Sequence, residues 1–298
     1  DYGGGYKIKA IYSDAQSKPD VAINETERLL NQEKVDMVMG VFSSAHCVPM
    51  AQKADAAKKF MWANVCVASA VLKDKKLQYV FRAQVHSDQF GEASCTFLNE
   101  QAKARLGKDP KDLKVAVIYE DGPYGSGVAA GNESACKGYG MQVVLKEGYA
   151  ATAPDLSPLV TKLKRARPDV ILHTGYNPDI TLFLRQSKEQ NLKWAALIGH
   201  GAGYGQFDKL YATFKDDANL IGDLPVIDVI MQRAQTLSPD YDEGAIHEFY
   251  VSFDAARSPQ QGGGPERAKA HLDQAQKLGR GYKLGSIVSY AEGVLIGE

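Results

Sequence analysis

The chain has 298 residues, with 35 Lys+Arg against 36 Asp+Glu and a formal net charge of −1. A balance this even excludes the clustered positive excess of a nucleic-acid footprint, and no apolar run approaches the roughly 18 residues that cross a bilayer as a helix. Hydrophobic residues make up 44% and charged residues 24%, an ordinary globular composition, and at roughly 150 residues per domain the length predicts two cores.

From Lys7 to about Gly203, short β-branched runs alternate with longer segments of helical period. The pattern predicts a strand over Lys7–Tyr12, a helix over Pro19–Asn31 with Ala22, Leu29 and Leu30 on one side, and a strand over Val35–Phe42. A helix over Val48–Lys59, a strand over Phe60–Val65 and a strand-like run over Gln78–Arg82 follow. Next come a long helix over Ser87–Leu106, a strand over Lys114–Tyr119, a helix over Tyr124–Tyr139 and a strand over Met141–Tyr149. The series ends with a helix over Leu156–Ala166, a strand over Val170–Thr174, a helix over Ile180–Gln190 and a strand over Trp194–Ile198. Such alternation builds βαβ units, whose sheet is parallel and whose strand carboxyl ends collect on one edge. After a helix-like Tyr204–Phe214 the polar stretch Lys215–Asn219 breaks the pattern. It weakens into helices over Ile227–Gln235, Ala245–Ala256, Glu266–Leu278 and Ile287–Ile296, with a Gly/Pro/Gln-rich loop at 258–265.

The residues that could carry chemistry are few. Cys47, Cys66, Cys95 and Cys136 are even in number and form no CxxC pair, so they read either as core thiols or as two disulfides, the latter requiring an oxidising compartment. Glu120-Asp-Gly-Pro-Tyr-Gly-Ser-Gly127 joins a strand to a helix but matches neither glycine-rich phosphate motif. The junction Gly40-Val-Phe42-Ser43-Ser44 offers serines at a helix start, where free N–H groups attract a carboxylate. None of the six histidines pairs at i, i+4 around an acid, so no metal or cofactor is expected. Tyr124, Tyr176 with Asn177, and Tyr204 with His200 all follow strand ends, where open α/β sheets bind ligands. No nucleophile, base and acid stand at a recognisable spacing, so an enzyme is not expected.

An ordered set of segments carries a family likeness. Val35-Asp36-Met-Val-Met-Gly40-Val-Phe-Ser43-Ser44, Phe81-Arg82, Lys114-Val-Ala-Val-Ile-Tyr-Glu-Asp with Tyr124-Gly125, and Pro168-Asp169-Val-Ile with Gly175-Tyr176 stand in sequence. They resemble the leucine/isoleucine/valine-binding family of periplasmic solute-binding proteins, over roughly residues 4–215. The resemblance implies the type I periplasmic binding protein fold, α/β, with two doubly wound parallel-sheet lobes joined by a hinge. Lobe one is expected over 1–82 plus 220–298 and lobe two over 83–219. The ligand is trapped in the cleft between them and delivered to a membrane ABC permease.

On that resemblance Phe42, Ser43, Ser44, Ala68 and Ser69 of lobe one hold a carboxylate, and Tyr124, Tyr176, Asn177 and His200 of lobe two close over its apolar body. In amino-acid binders of the family an acidic residue often meets the ligand ammonium, where this chain reads Gly199-His-Gly-Ala-Gly203. The implied ligand is therefore a small organic carboxylate, either an aromatic acid or a branched-chain-type amino acid. The alternative is a sensing receptor module for amides or amino acids. The implied fold also brings Cys47 near Cys66 and Cys95 near Cys136. A periplasmic protein is expected without its signal peptide, since Asp1-Tyr-Gly-Gly-Gly-Tyr-Lys7 has no basic and apolar leader. Family members usually have a strand before the one matching Lys7–Tyr12 and continue past Ile287–Ile296, so unobserved residues closed up in the numbering are expected.

Overall fold

A computed structural model describes residues 7–201, 204, 228–229 and 231–296. The chain divides into two compact units, Asp1–Gly203 and Tyr204–Glu298. The first unit contains two parallel sheets. One has β1 (Met37–Met39), β2 (Phe60–Ala63) and β3 (Val80–Arg82) in that order; the other has β4 (Lys114–Glu120), β5 (Gln142–Tyr149), β6 (Val170–Thr174) and β7 (Ala196–His200), ordered β5-β4-β6-β7. The helices between them are α1 (Pro19–Asn31), α2 (Ser44–Ala56), α3 (Ser87–Leu106), α4 (Pro123–Gly138), α5 (Ser157–Ala166) and α6 (Asn177–Glu189). Proline occupies the first or second position of α1, α4, α5 and α6, where its missing N–H would be unpaired anyway and its fixed φ suits the helix.

The central strands of the larger sheet are apolar because both their faces are covered. Every residue of β6 is buried. Alternate residues serve different layers: Ala116, Ile118 and Ile171 meet Leu159, Val160, Leu163 and Phe183 of α5 and α6, while Val115, Val117 and Leu172 meet Leu98, Ala102 and Ala129 of α3 and α4. Helices α3 and α4 pack with their backbones nearly touching. A Cβ on Gly91 would collide with the backbone at Val128, Gly131 and Asn132, and Asn132 Nδ2 donates to Gly91 O at 3.1 Å. A Cys95–Cys136 disulfide fastens the same pair of helices.

In the smaller sheet Val38, Met61, Ala63 and Val80 face a core with Ala22, Leu30, Met50, Ala51 and Ala54 from α1 and α2. A Cys47–Cys66 disulfide ties α2 to the loop after β2. The opposite face carries Met37, Met39, Phe60, Trp62 and Phe81, with Phe60 stacked on Trp62 at 6.2 Å and on Phe81 at 5.1 Å. Met39 is 60% exposed and Phe81 47%, so this apolar face lies open within the first unit.

The strand expected over Lys7–Tyr12 does not form. The segment has no regular structure, and Ile8 and Tyr12 are exposed. A cavity of about 1010 Å³, lined by this segment, α1 and β1, separates it from the sheet, and a strand without a hydrogen-bonded neighbour is not stable. The helix expected to begin at Val48 begins at Ser44, and the one expected from Ile180 begins at Asn177. The helix-like Tyr204–Phe214, apart from Tyr204, and the break at Lys215–Asn219 lie outside the described residues.

The second unit is helical among its described residues, with a helix at 228–237 (bar residue 230), α7 (Ala245–Ala255), α8 (Pro265–Leu278) and α9 (Leu284–Tyr290). Its core centres on Ile246, Tyr250 and Phe253. Beside it the fully buried Asp254 pairs with Arg257 at 2.5 Å.

The disulfides make a quantitative prediction. Loop-closure entropy assigns about 4 kcal/mol to Cys95–Cys136 and about 3 kcal/mol to Cys47–Cys66, from sequence separations of 41 and 19. Replacing each pair by serine should lower the urea-unfolding free energy in that order, measured by circular dichroism.

Candidate functional site

The strand order β5-β4-β6-β7 reverses direction between β4 and β6, and open α/β sheets bind ligands in the crevice outside the carboxyl ends at such a point. The two loops leaving these strands start α4 and α6, and each turn is organised by a buried carboxyl group. Glu120, the last residue of β4, accepts the N–H of Gly122 at 2.7 Å on Oε2 and that of Gly125 at 2.6 Å on Oε1. This turn needs glycine at 125, because a Cβ there would collide with Glu120 O. After β6, Asp179 accepts the Tyr176 N–H at 2.9 Å on Oδ1 and the Tyr149 hydroxyl at 2.6 Å on Oδ2. Tyr149 ends β5, on the far side of β4.

These turns present two tyrosine rings. Tyr124 and Tyr176 lie 5.7 Å apart at an interplanar angle of 50°, and Phe42, beyond the end of β1, lies 6.3 Å from Tyr176. The Ser43 side chain lies beside the Tyr176 phenol and favours its ionised form. Burial pushes the Tyr176 phenol up to about 12, with Glu120 adding to the effect, and burial raises Tyr124 further. Both phenols are therefore neutral donors at any working pH. Burial also raises Glu120 and Asp179 above the ordinary carboxylate range, and each carboxylate raises the other phenols nearby.

Of the residues expected to touch a ligand, the structure brings Phe42, Ser43, Tyr124 and Tyr176 together. Asn177 stands beside them as the first residue of α6, half-buried, its carbonyl accepting from Thr181 Oγ1 at 2.9 Å.

Ser44, Ala68 and Ser69 belong to a neighbouring loop and its contacts. Ser44 is buried, and its Oγ accepts the Ala68 N–H at 3.1 Å, so that N–H is not open to a ligand. The Ala68 carbonyl accepts from Arg82 Nη1 at 2.8 Å. Ser69 donates its N–H to Ser87 Oγ at 3.0 Å and its hydroxyl to Asp88 Oδ1 at 2.6 Å. Burial opposes the Asp88 charge, but the hydrogen bonds from Ser69 and Lys73 outweigh it and hold this carboxyl below its usual range. The Ser69 hydroxyl thus lies against a negative charge.

His200 stands apart from the tyrosines in its contacts. It ends β7, as its position after a strand suggested, but its ring turns inward and is 8% exposed. Nε2 lies 2.5 Å from Ser94 Oγ and Nδ1 lies 3.2 Å from Thr174 Oγ1. Both ring nitrogens are engaged under α3, so His200 serves the interior beside the larger sheet. Among the described residues no group of three or more His, Cys, Asp or Glu could hold a metal ion, and no helix is long and apolar enough to cross a membrane.

Sequence reasoning missed Glu120, Asp179 and Tyr149. The signal for Asp179 was present: Tyr176-Asn-Pro-Asp179 places an acid at the third position of a helix, where it reaches back to the N-cap N–H. Glu120 was legible only as an acid before two glycines, and nothing local marks Tyr149.

Comparison with known proteins gives a consistent result. The sequence profile of a family described as periplasmic binding protein matches residues 1–255. A "Leu/Ile/Val-binding protein homolog 7" of Brucella suis biovar 1 (strain 1330) is 38% identical over 200 residues, 67% of this chain and 50% of the relative. The chain thus spans about half the length of the curated relatives it matches. Among solved structures, a leucine binding protein from Thermotoga maritima superposes with a TM-score of 0.60 at 24% identity, covering 70% of this chain and 56% of that one. A solute binding protein from R. palustris in complex with 4-hydroxybenzoate also scores 0.60, at 18% identity, covering 98% of this chain and 69% of that one. At these identities the structural likeness concerns the fold.

The electrostatics of the crevice can be tested without a ligand. Glu133 on the surface is held near 2 by hydrogen bonds from Lys137 and Lys146, whereas burial raises Glu120. Side-chain carboxyl titration by carbon-13 NMR should therefore find Glu120 titrating well above Glu133. Because the folded state holds the Glu120 proton more tightly than the unfolded chain does, this residue contributes more stability as the pH falls through its raised folded pKa towards the unfolded value of about 4.3.

Proposed function

The chain belongs to the periplasmic binding protein family, and on that premise we propose that it is the solute-binding component of an ABC importer. Its ligand is a small organic carboxylate with an apolar body, trapped by hinge closure and passed to a membrane permease. The observation that carries the reading is the aromatic crevice at the β4/β6 reversal, where Tyr124 and Tyr176 face Phe42 and Ser43 from the smaller sheet. Rings on both sides of a cleft suit a flat or branched apolar body.

The two sides of the crevice differ in charge. Helix α2 starts at Ser44 with Ser43 as N-cap, makes no side-chain cap bond and has no acid in its first turn. Its first N–H groups have no helical partner and its end of the macrodipole is positive. The turns before α4 and α6 are already supplied with carboxylates by Glu120 and Asp179. A ligand carboxylate is thus favoured at Ser43 and the start of α2, with the body against the tyrosines.

Between amino acids and acids without an amino group, the geometry favours the latter. Gly201 has φ +121° and a Cβ there would collide with Gly175 O, so this backbone admits no acidic side chain at that point of the loop. A buried ammonium without a carboxylate partner is costly. Of the relatives' ligands, 4-hydroxybenzoate fits this chemistry better than leucine does.

Export to an oxidising compartment fits the two disulfides. We also propose the lobes as 1–82 plus 220–298 and 83–219. The exposed Met37, Met39 and Phe81 support this division, since parallel sheets normally have both faces covered. Closure is favoured only by contacts the ligand makes in the closed form. Ser43 and Tyr176 supply such contacts from opposite sheets.

The test is a thermal-shift screen of hydroxybenzoates, benzoate, aliphatic acids and branched-chain amino acids, followed by calorimetry. A ligand at about 100 times its Kd adds roughly 2.7 kcal/mol and should raise the Tm visibly. Tyr176→Ala should weaken the best ligand more than about tenfold, roughly 1.4 kcal/mol. Stabilisation by amino acids alone would overturn the preference for non-amino acids, and an unchanged Kd would remove Tyr176 from the site.

A further inference from the structure

Behind the tyrosine wall lies a buried relay that ligand contact alone does not explain. His173 of β6 is fully buried, and its Nε2 lies 2.6 Å from the Tyr149 hydroxyl. That hydroxyl lies 2.6 Å from Asp179 Oδ2, and the other Asp179 oxygen holds the Tyr176 N–H at 2.9 Å. The cradle is tight: a Cβ on Gly175 would collide with Asp179 Oδ2 and crowd the Tyr149 hydroxyl. The edge of the His173 ring meets Phe183 at 4.6 Å, which keeps water from that side.

We infer that Tyr149 and His173 are positioning residues for the ligand face, acting through Asp179 on Tyr176. The inference rests on the reading that Tyr176 contacts the ligand.

Proton counting fixes the direction of the relay. An ionised Asp179 can only accept, so the single Tyr149 proton points to Oδ2. The Tyr149 oxygen then accepts from His173, which must carry its proton on Nε2. Protonating Asp179 on Oδ2 reverses the chain: the acid donates to Tyr149, Tyr149 donates to Nε2, and His173 must move its proton to Nδ1. One ionisation at the site is thus coupled to a tautomer change in the core. The groups facing Asp179 are Glu120 from β4, Tyr124 from α4, Tyr149 from β5, and His173 and Tyr176 from β6 and its loop; His200 of β7 faces His173 in turn. Burial drives His173 down to about 3 and raises Asp179, so Asp179 is the member that titrates first on acidification from neutral pH.

The experiment follows the Tyr176 amide resonance by nitrogen-15 NMR across pH 3–8, in the wild type and in Tyr149→Phe. The wild type should show an inflection at the Asp179 ionisation. Loss of the Tyr149 donor should raise its midpoint by about one pH unit, equivalent to a tenfold change in proton affinity. With benzoate as the probe, the variant's Kd should rise about tenfold at neutral pH, and the acid limb of its pH profile should move with the amide midpoint. An amide midpoint unchanged in Tyr149→Phe overturns the inference. Should that variant fail to fold, Asp179→Asn serves instead: the inflection should vanish, and its persistence overturns the inference equally. If benzoate and the other screened ligands fail to bind the wild type, the proposed function falls, while the amide titration still decides the relay.

Discussion

Two buried carboxyl groups hold the ligand face in shape. A carboxylate removed from water is costly unless its lone pairs find donors; Glu120 finds two in the backbone of its own turn, and Asp179 finds one in the Tyr176 N–H and one in the Tyr149 hydroxyl of β5. Three of the bonds that offset the desolvation are therefore also bonds that turn β4 into α4 and β6 into α6. Since these strands are neighbours at the reversal of strand order, the two turns diverge and leave a crevice between them. Tyr124 and Tyr176 line it because they sit on those turns, one on the first residues of α4 and the other as the N-cap of α6.

The supporting layers explain how such turns stay rigid. Helices α3 and α4 meet backbone to backbone at Gly91 and Gly131 and are joined by Cys95–Cys136. The start of α4 is thereby fixed from both ends, by Glu120 at the strand and by α3 along its length. His200 belongs to this support. Nδ1 lies beside Thr174 Oγ1, and Nε2 lies beside Ser94 Oγ, which donates to the Phe90 carbonyl. The ring stitches β6, β7 and α3 together, which is work for the interior beside the larger sheet.

The architecture was legible in the sequence because hydrophobic period and helix punctuation agree over residues 19–200. The strand Val170–Thr174 and the helices Pro19–Asn31 and Ser87–Leu106 have the bounds that the pattern predicts. The pattern at Lys7–Tyr12 was equally strand-like, but a strand is a property of a pair, and the sequence cannot show that its neighbour is a cavity. The candidate site was legible by topology and illegible by side-chain direction. Tyr124 and Tyr176 follow strand ends in the sequence, and the structure brings their rings together there. Ser69 and His200 occupy equally suggestive positions, yet their hydroxyl and ring nitrogens are claimed by Asp88, Ser94 and Thr174 from elements distant in sequence. Tyr149 was missed for the mirror-image reason, since His173 and Asp179 reach it only when the strands are assembled, whereas the partners of Glu120 are local and its burial is what the sequence does not show.

The crevice's asymmetry also bears on the orientation of the ligand. Raised phenol pKa values keep Tyr124 and Tyr176 neutral, so the larger-sheet side offers hydroxyl groups that both donate and accept, set on apolar rings. It has negative charge behind it from Glu120 and Asp179, which a ligand carboxylate would oppose. The α2 side has an unassisted positive helix end and the Ser43 hydroxyl. On the proposed reading, a carboxylate pointing to the tyrosines would lose on charge, and one pointing to α2 gains the helix end while its ring lies among three others. A hydroxyl at the far end of such a ligand would then meet phenols able to bond it in either direction.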